Sequence, residues 1–161
     1  MKRMKISNMR IALGISILAG LVMVYACRKD DLMSEEEIIQ SYLKTHDIVA
    51  EPTESGLYYI EYIEGSGDYP VYLDTVRINY TGSFVNGQIF DANTVEFTVG
   101  ADQVIKGWEE GILYMREGGR ALLIVPSKLG YGSTGWYSIP GNTVLVFQMH
   151  LVDIKFGPNH R

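Results

Sequence analysis

Trp108 stands in the stretch Gln-Val-Ile-Lys-Gly-Trp-Glu-Glu-Gly, from Gln103 to Gly111, with two aliphatics ahead of it and a glycine on either side. An indole at helical spacing from Val104 and Ile112 is most often plain core, and it is also how the floor of an apolar pocket is built. Aromatic side chains that could wall such a pocket are plentiful, with eleven tyrosines and five phenylalanines in the chain. Hydrolytic chemistry has no such support. A serine or cysteine hydrolase needs a nucleophile, a base and an orienting acid, yet the chain has no Gly-x-Ser-x-Gly run, and its lone cysteine, Cys27, sits in an N-terminal segment of another kind. The acids gather mainly near 35–37 and at Glu109-Glu110, which speaks against paired-carboxylate catalysis. The glycines from Gly130 to Gly135 are followed by neither Gly-Lys-Ser/Thr nor a helix start, so they read as a turn-rich flap and not a phosphate cradle. His46, His150 and His160 share no ligand-like spacing, and one cysteine supports neither a thiolate cluster nor an intramolecular disulfide. No metal or cofactor is expected.

The elements that must hold these residues follow from two periodicities. Ser34-Glu35-Glu36-Glu37 forms a capping-box pattern ahead of Ile38, Ile39, Tyr42 and Leu43, which predicts a helix over 35–46 with an acidic first turn suited to its dipole. The polar run 51–56, punctuated by Pro52 and Gly56, reads as a linker. Whether the helix packs on the domain, dimerises or acts as a spacer is open at this point. From Leu57 the period switches to two. Tyr58, Ile60 and Tyr62 alternate, as do Val76, Ile78 and Tyr80 against Arg77, Asn79 and Thr81, the pattern of strands with one face buried. Asn86-Gly87 is a strong hairpin signal and predicts a type I′ turn between a strand near 78–84 and one near 88–90. Further strands are expected over 121–125 and 144–154, with a short helix over 106–115 whose Trp108, Ile112 and Met115 share a face. An antiparallel sheet around one short helix is an α+β domain.

Four of these segments, together with the Trp108 stretch, carry a family likeness. Val76-Arg77-Ile78-Asn79-Tyr80-Thr81-Gly82, Asn86-Gly87-Gln88-Ile89-Phe90-Asp91, Tyr131-Gly132-Ser133-Thr134-Gly135, and Ile139-Pro140 running into Val144-Leu145-Val146-Phe147 resemble the FKBP-type peptidyl-prolyl isomerases in order and spacing, over residues 57–154. The resemblance implies a half-barrel sheet around one helix and cis/trans isomerisation of X-Pro bonds in proline-containing polypeptides, with no cofactor. It implies a pocket in which Trp108 lies beneath the proline ring and Tyr80, Phe90 and Phe147 form walls, with Phe97, Val104, Ile105 and Ile139 also contacting substrate. The Ile105 amide and the Tyr131 hydroxyl would bond the carbonyls flanking the proline, and Asp91 would be the single charge at the rim. Such a site suits the reaction. The X-Pro barrier of about 18–20 kcal/mol arises from amide resonance, which the twisted transition state has lost. A less polar transition state is favoured by an apolar pocket that strips water from the carbonyl, with no covalent step. The chain departs from the family at Val95, where an aromatic wall is common, at Ser138, where an aliphatic is usual, and in a short 90–97 stretch, while Trp136 and Tyr137 decorate the flap. A different class of reading is a non-catalytic module that holds a proline-containing segment of a partner.

The N-terminus is of another character. Lys2, Arg3, Lys5 and Arg10 precede an apolar run over 11–24, within the roughly 7–15 residues of a signal-peptide core and short of the ~20 that span a bilayer. Val24-Tyr25-Ala26-Cys27 looks like a lipobox, which predicts cleavage before Cys27 and its acylation. Arg28-Lys29-Asp30-Asp31 resembles the tag that follows the lipidated cysteine in surface-exported lipoproteins of Bacteroidetes-type bacteria. The expected organisation is a signal peptide over 1–26, a tether with a short helix and linker over 27–56, the isomerase-like domain over 57–155 and a tail over 156–161. The expected location is the cell envelope, lipid-anchored to the outer membrane and exposed at the surface. Beyond residue 26 ten basic residues face nineteen acidic ones, net −9, which nucleic acid and anionic headgroups repel. Nucleic acid is therefore not an expected partner, and oligomeric state stays open.

Overall fold

The computed structural model describes residues 33–160; the predicted leader, Cys27 and the 28–31 charge run lie outside the described residues. Helix α1 (Glu35–Thr45) precedes strands β1 (Tyr58–Ile63), β2 (Thr75–Phe84) and β3 (Ile89–Thr98). Helix α2 (Lys106–Gly111), strand β4 (Arg120–Val125) and strand β5 (Leu145–Lys155) follow. The strands form one antiparallel sheet in the order β1-β4-β5-β2-β3. This is the α+β architecture that the alternation predicts.

One face of the sheet carries Val76 and Ile78 from β2, Leu123 and Val125 from β4, and Phe147, Met149 and Leu151 from β5, all buried against Trp108, Ile112 and Met115. The alternate residues Ile124 and Val146 point the other way and meet Ile39 and Leu43 of α1, with Tyr58 between them. Helix α1 thus covers the outer face of the sheet at β4 and the start of β5, which explains why Ala121-Leu122-Leu123-Ile124-Val125 reads as continuously apolar. A strand covered on both faces loses its alternation. Burial of Ile39 and Leu43 contributes about 1.5–3 kcal/mol each to this docking.

The predicted 106–115 helix is an α-helix only to Gly111 and continues as a 3₁₀ turn over Ile112–Tyr114. Its glycines have a packing role. A Cβ on Gly107 would lie 2.7 Å from Val125 Cγ1, and one on Gly111 would lie 2.8 Å from Leu123 Cδ1. Their bare backbones let α2 lie directly on β4, which sets the depth of Trp108.

Two expectations need correction. The strand predicted near 88–90 runs on to Thr98, and the β2–β3 turn is not type I′. Gly87 has φ 84° while Asn86 stays out of the left-handed region, and the loop closes through Gly87 N–H to Phe84 O (2.9 Å) and Phe84 N–H to Gln88 O (3.0 Å). It is therefore a three-residue loop over 85–87. A β-bulge follows at once, since Ser83 pairs with Ile89 but Gly82 pairs with Asp91, leaving Phe90 as the extra residue.

The C-terminal tail is anchored by a buried carboxylate. Asp74 is 0% exposed, and it accepts from Val71 N–H (2.9 Å) and Gly157 N–H (2.7 Å) and pairs with His160 Nδ1 (2.7 Å). Burial by itself raises an acid's pKa, but here the two backbone N–H groups and then His160 outweigh it and hold Asp74 below the ordinary carboxylate value.

Candidate functional site

Where α2 meets β2, β3 and β5, the concave face of the sheet stays open as a cavity of about 170 Å³. Trp108 is its floor. The indole is 5% exposed and meets Tyr80 edge-on at 4.7 Å between centroids and Phe147 at 5.2 Å. These T-shaped contacts lock the ring plane on both sides, each contributing about 0.5–1.5 kcal/mol beyond area burial. Val95 from β3 and Val104 and Ile105 from the segment leading into α2 complete the apolar wall, while Gln103, Asp91 and Tyr131 bring polar atoms to its edge. Gln103 is itself fixed, its Oε1 accepting from Thr98 N–H at 2.8 Å.

The bulge at Phe90 builds the polar rim. In a regular strand Phe90 and Asp91 would face opposite sides. With the extra residue both turn toward the pocket side. Asp91 lines the cavity and accepts the Tyr80 hydroxyl, while Phe90 lies edge-on to Phe147 at 5.7 Å. Burial, and then the hydrogen bond to the Asp91 charge, push the Tyr80 phenol well above its ordinary pKa, so it stays a neutral donor. Burial first, and the Asp91 charge second, raise Tyr131 as well. Tyr131 O–H and Ile105 N–H donate to no group among the described residues, and both residues border the cavity. Two residues with unengaged donors therefore border a hollow whose floor and walls are aromatic and aliphatic.

The flap runs from the 3₁₀ turn Ser127–Leu129 to the start of β5. Its tip is a tight turn in which Trp136 and Ile139 exchange backbone hydrogen bonds of 2.9 and 2.8 Å. Trp136 stacks parallel to Tyr131 at 6.4 Å and stays 58% exposed, and Tyr137 is 94% exposed. The flap thus presents aromatic surface to solvent beside the cavity mouth.

Of the residues singled out from the sequence, Tyr80, Asp91, Val104, Ile105, Trp108, Tyr131 and Phe147 converge on the cavity. Phe90, Phe97 and Ile139 back it instead: Phe90 supports Phe147, Phe97 lies tilted against Trp108 at 6.3 Å, and Ile139, at the flap tip, is buried in the core cluster. Gln103 lines the cavity without having been given a role; its position next to Val104-Ile105 was the available signal. Val95 also lines it, at the place where the sequence departs from an aromatic wall.

Comparison with known proteins accords with this geometry. The profile of the FKBP-type peptidyl-prolyl cis-trans isomerase family matches residues 67–152. The FKBP-type peptidyl-prolyl cis-trans isomerase FkpA of Buchnera aphidicola is 39% identical over 122 residues, 73% of this chain and 47% of that protein. FkpA of Escherichia coli is 37% identical over 107 residues, 65% of this chain and 40% of that protein. This chain thus spans less than half the length of these relatives. The crystal structure of Escherichia coli FkpA matches with a TM-score of 0.69 at 30% identity, covering 97% of this chain and 76% of that one. That of AtFKBP13 matches with a TM-score of 0.61 at 29% identity, covering 65% and 98%. With its profile match over more than half the length, its five-stranded antiparallel sheet and its tryptophan-floored cavity, the chain belongs to the FKBP-type peptidyl-prolyl cis-trans isomerase family.

Proposed function

We propose that this protein catalyses cis/trans isomerisation of X-Pro bonds in exported polypeptides. The observation that carries the reading is the cavity itself, an aromatic hollow over Trp108 bordered by Ile105 and Tyr131, whose N–H and O–H donate to no group among the described residues. A proline ring seated on the indole would bring its flanking carbonyls within range of those donors. The walls would withdraw the X-Pro amide from water, and loss of that solvation favours the twisted form, whose carbonyl is less polar. Asp91 holds the Tyr80 hydroxyl and sets a negative edge toward the carbonyl carbon as it turns. Every tenfold in rate needs only about 1.4 kcal/mol of differential binding, which a few such contacts supply. The test is exchange kinetics on short X-Pro peptides by NMR or protease coupling, with Asp91→Ala and Tyr131→Phe as variants. Uncatalysed exchange takes roughly tens to hundreds of seconds, so acceleration by the wild type and its reduction in the variants are readily measured. Peptide binding with no acceleration would instead make the domain a proline-segment binding module.

The basic start, the short apolar run and Ala26-Cys27 support a lipid anchor at Cys27. Firm anchoring takes more than one acyl chain, and mass spectrometry of the membrane form should find a modified N-terminal Cys27. An unmodified Cys27 or a retained leader rules this out. The charge run 28–31 and the net −9 beyond residue 26 support an outward-facing domain on the outer membrane. Protease shaving of intact cells should remove it, and changing Lys29, Asp30 and Asp31 to alanine should protect it.

A further inference from the structure

Ser127 opens the flap, and its hydrogen-bonding groups are engaged on both sides. Its N–H (2.7 Å) and Oγ–H (2.5 Å) both donate to the carboxylate of Glu35, the first residue of α1 and 92 positions away in the chain. Its carbonyl accepts from Gly132 N–H at 2.8 Å and Gly130 N–H at 2.9 Å. Those two amides bracket Tyr131, the flap residue whose ring borders the cavity. Beyond Gly132 the flap bonds mainly to itself, through Gly135 N–H to Tyr131 O (3.1 Å) and Asn142 N–H to Gly132 O (2.9 Å).

The other end of this chain of bonds is rigid. Helix α1 is held on the outer sheet face by Ile39 and Leu43, 1% and 3% exposed. One carboxylate takes two donors from one residue, the strong, charge-assisted form of hydrogen bond, and Ser127 is 8% exposed, so water competes poorly for it. A negative side chain in the first turn of a helix is also favoured by the helix's own dipole. Glu35 lies outside residues 67–152, the part of the chain that matches the family profile.

We propose that Glu35 is a positioning residue for the flap: by fixing Ser127 it orients the backbone on both sides of Tyr131, so that α1 is a working part of the pocket and not only a spacer. The catalytic half of this rests on the isomerase reading of Tyr131; the structural half does not.

The experiment is amide hydrogen exchange and X-Pro exchange kinetics on the full chain in detergent, for wild type, Glu35→Ala, Glu35→Gln, Tyr131→Phe and the double variant of Glu35→Ala with Tyr131→Phe. In Glu35→Ala, protection of Gly130 and Gly132 should fall about tenfold or more, the factor expected for loss of a charge-assisted hydrogen bond, while amides of β5 are unchanged. Activity, as kcat/KM, should fall by roughly the same factor as in Tyr131→Phe, and the double variant should be little worse than either, because the two changes remove one interaction. Glu35→Gln keeps an acceptor oxygen and should restore most of the protection. The proposal is overturned if Gly130 and Gly132 keep wild-type protection in Glu35→Ala, or lose no more than β5 does. It is equally overturned if the activity losses of Glu35→Ala and Tyr131→Phe simply multiply. If the wild type accelerates no X-Pro peptide, the isomerase reading falls, and the exchange of Gly130 and Gly132 still decides whether Glu35 holds the flap.

Discussion

Replacing Trp108 by phenylalanine separates two ways in which the pocket floor could act. The indole is 5% exposed, and its Nε1–H is buried without a hydrogen-bond partner among the described residues. Going to phenyl removes roughly 40 Å² of apolar surface, about 1 kcal/mol at 25 cal/mol per Å². The void of some 40 Å³ costs about another 1 kcal/mol. Against this, deleting a buried donor that has no acceptor returns about 1–3 kcal/mol. The edge-on contacts to Tyr80 and Phe147 survive in kind, because a phenyl ring also presents an edge or a face to them. The sum is near zero, so Trp108→Phe should unfold in urea within about 1 kcal/mol of wild type, whereas Trp108→Ala should lose about 3–5 kcal/mol. If the floor works by shape and exclusion of water, kcat/KM of Trp108→Phe stays within about fivefold, since that corresponds to only ~1 kcal/mol of transition-state binding. A loss near hundredfold with stability intact would mean that the indole N–H bonds the substrate in the transition state, and the apolar-floor reasoning would be wrong. A loss of more than about 3 kcal/mol in stability would show instead that the N–H is satisfied in the folded protein.

Other perturbations follow from the same packing. Gly82→Ala places a Cβ 2.7 Å from the Phe90 ring and 2.8 Å from the Phe147 ring; overpacking of this kind should cost about 1–3 kcal/mol and, by pushing Phe147 into the cavity, raise KM for X-Pro peptides. Asp74→Asn leaves one of the amide or histidine donors facing an NH₂ group, and should destabilise by about 1–3 kcal/mol with loss of exchange protection at Gly157. In the wild type the depressed pKa of Asp74 means that its contribution is fully present above the ordinary carboxylate pKa and disappears as pH falls through the lower folded value. The acid limb of the stability profile, measured by urea melts below about pH 4, should therefore be shallower in Asp74→Asn.

What the sequence reveals and what it hides divides along physical lines. Val76, Ile78 and Tyr80 declare β2 because that strand has one covered face, and Trp108, Ile112 and Met115 declare α2 with the 3₁₀ turn that follows it, because a short helical segment must bury a single stripe. Helix α1 was legible as a helix, but its place was not: the residues that receive Ile39 and Leu43 are Ile124 and Val146, far along the chain and indistinguishable from other buried strand residues. The Glu35–Ser127 bonds and the Asp74 anchor escape for the same reason, joining positions 92, 83 and 86 residues apart by single polar side chains that follow no period. Strand β3 was lost past Phe90 because it is an edge strand, with residues 91–94 exposed on both faces and so free of any requirement to alternate.

The turn shows how a local misreading can leave the pairing right and miss the device that makes the site. A two-residue turn with Asn86-Gly87 at its centre would pair Val85 with Gln88 and, counting outward, Tyr80 with Asn93. That is the pairing observed. The actual loop has three residues, which by itself would shift β3 by one and turn Asp91 to the outer face. The bulge at Phe90 takes up the difference. From Asp91 onward the register is therefore the one that the simpler turn would have produced, with Asp91, Val95 and Phe97 on the concave face. The added consequence concerns Phe90. With a regular hairpin it would point away from its neighbour Asp91 and out of the aromatic cluster; as the bulged residue it packs against Gly82 and Phe147 while Asp91 reaches Tyr80. Consecutive Phe-Asp on one strand can serve the same pocket only because the loop and the bulge err in opposite directions and cancel.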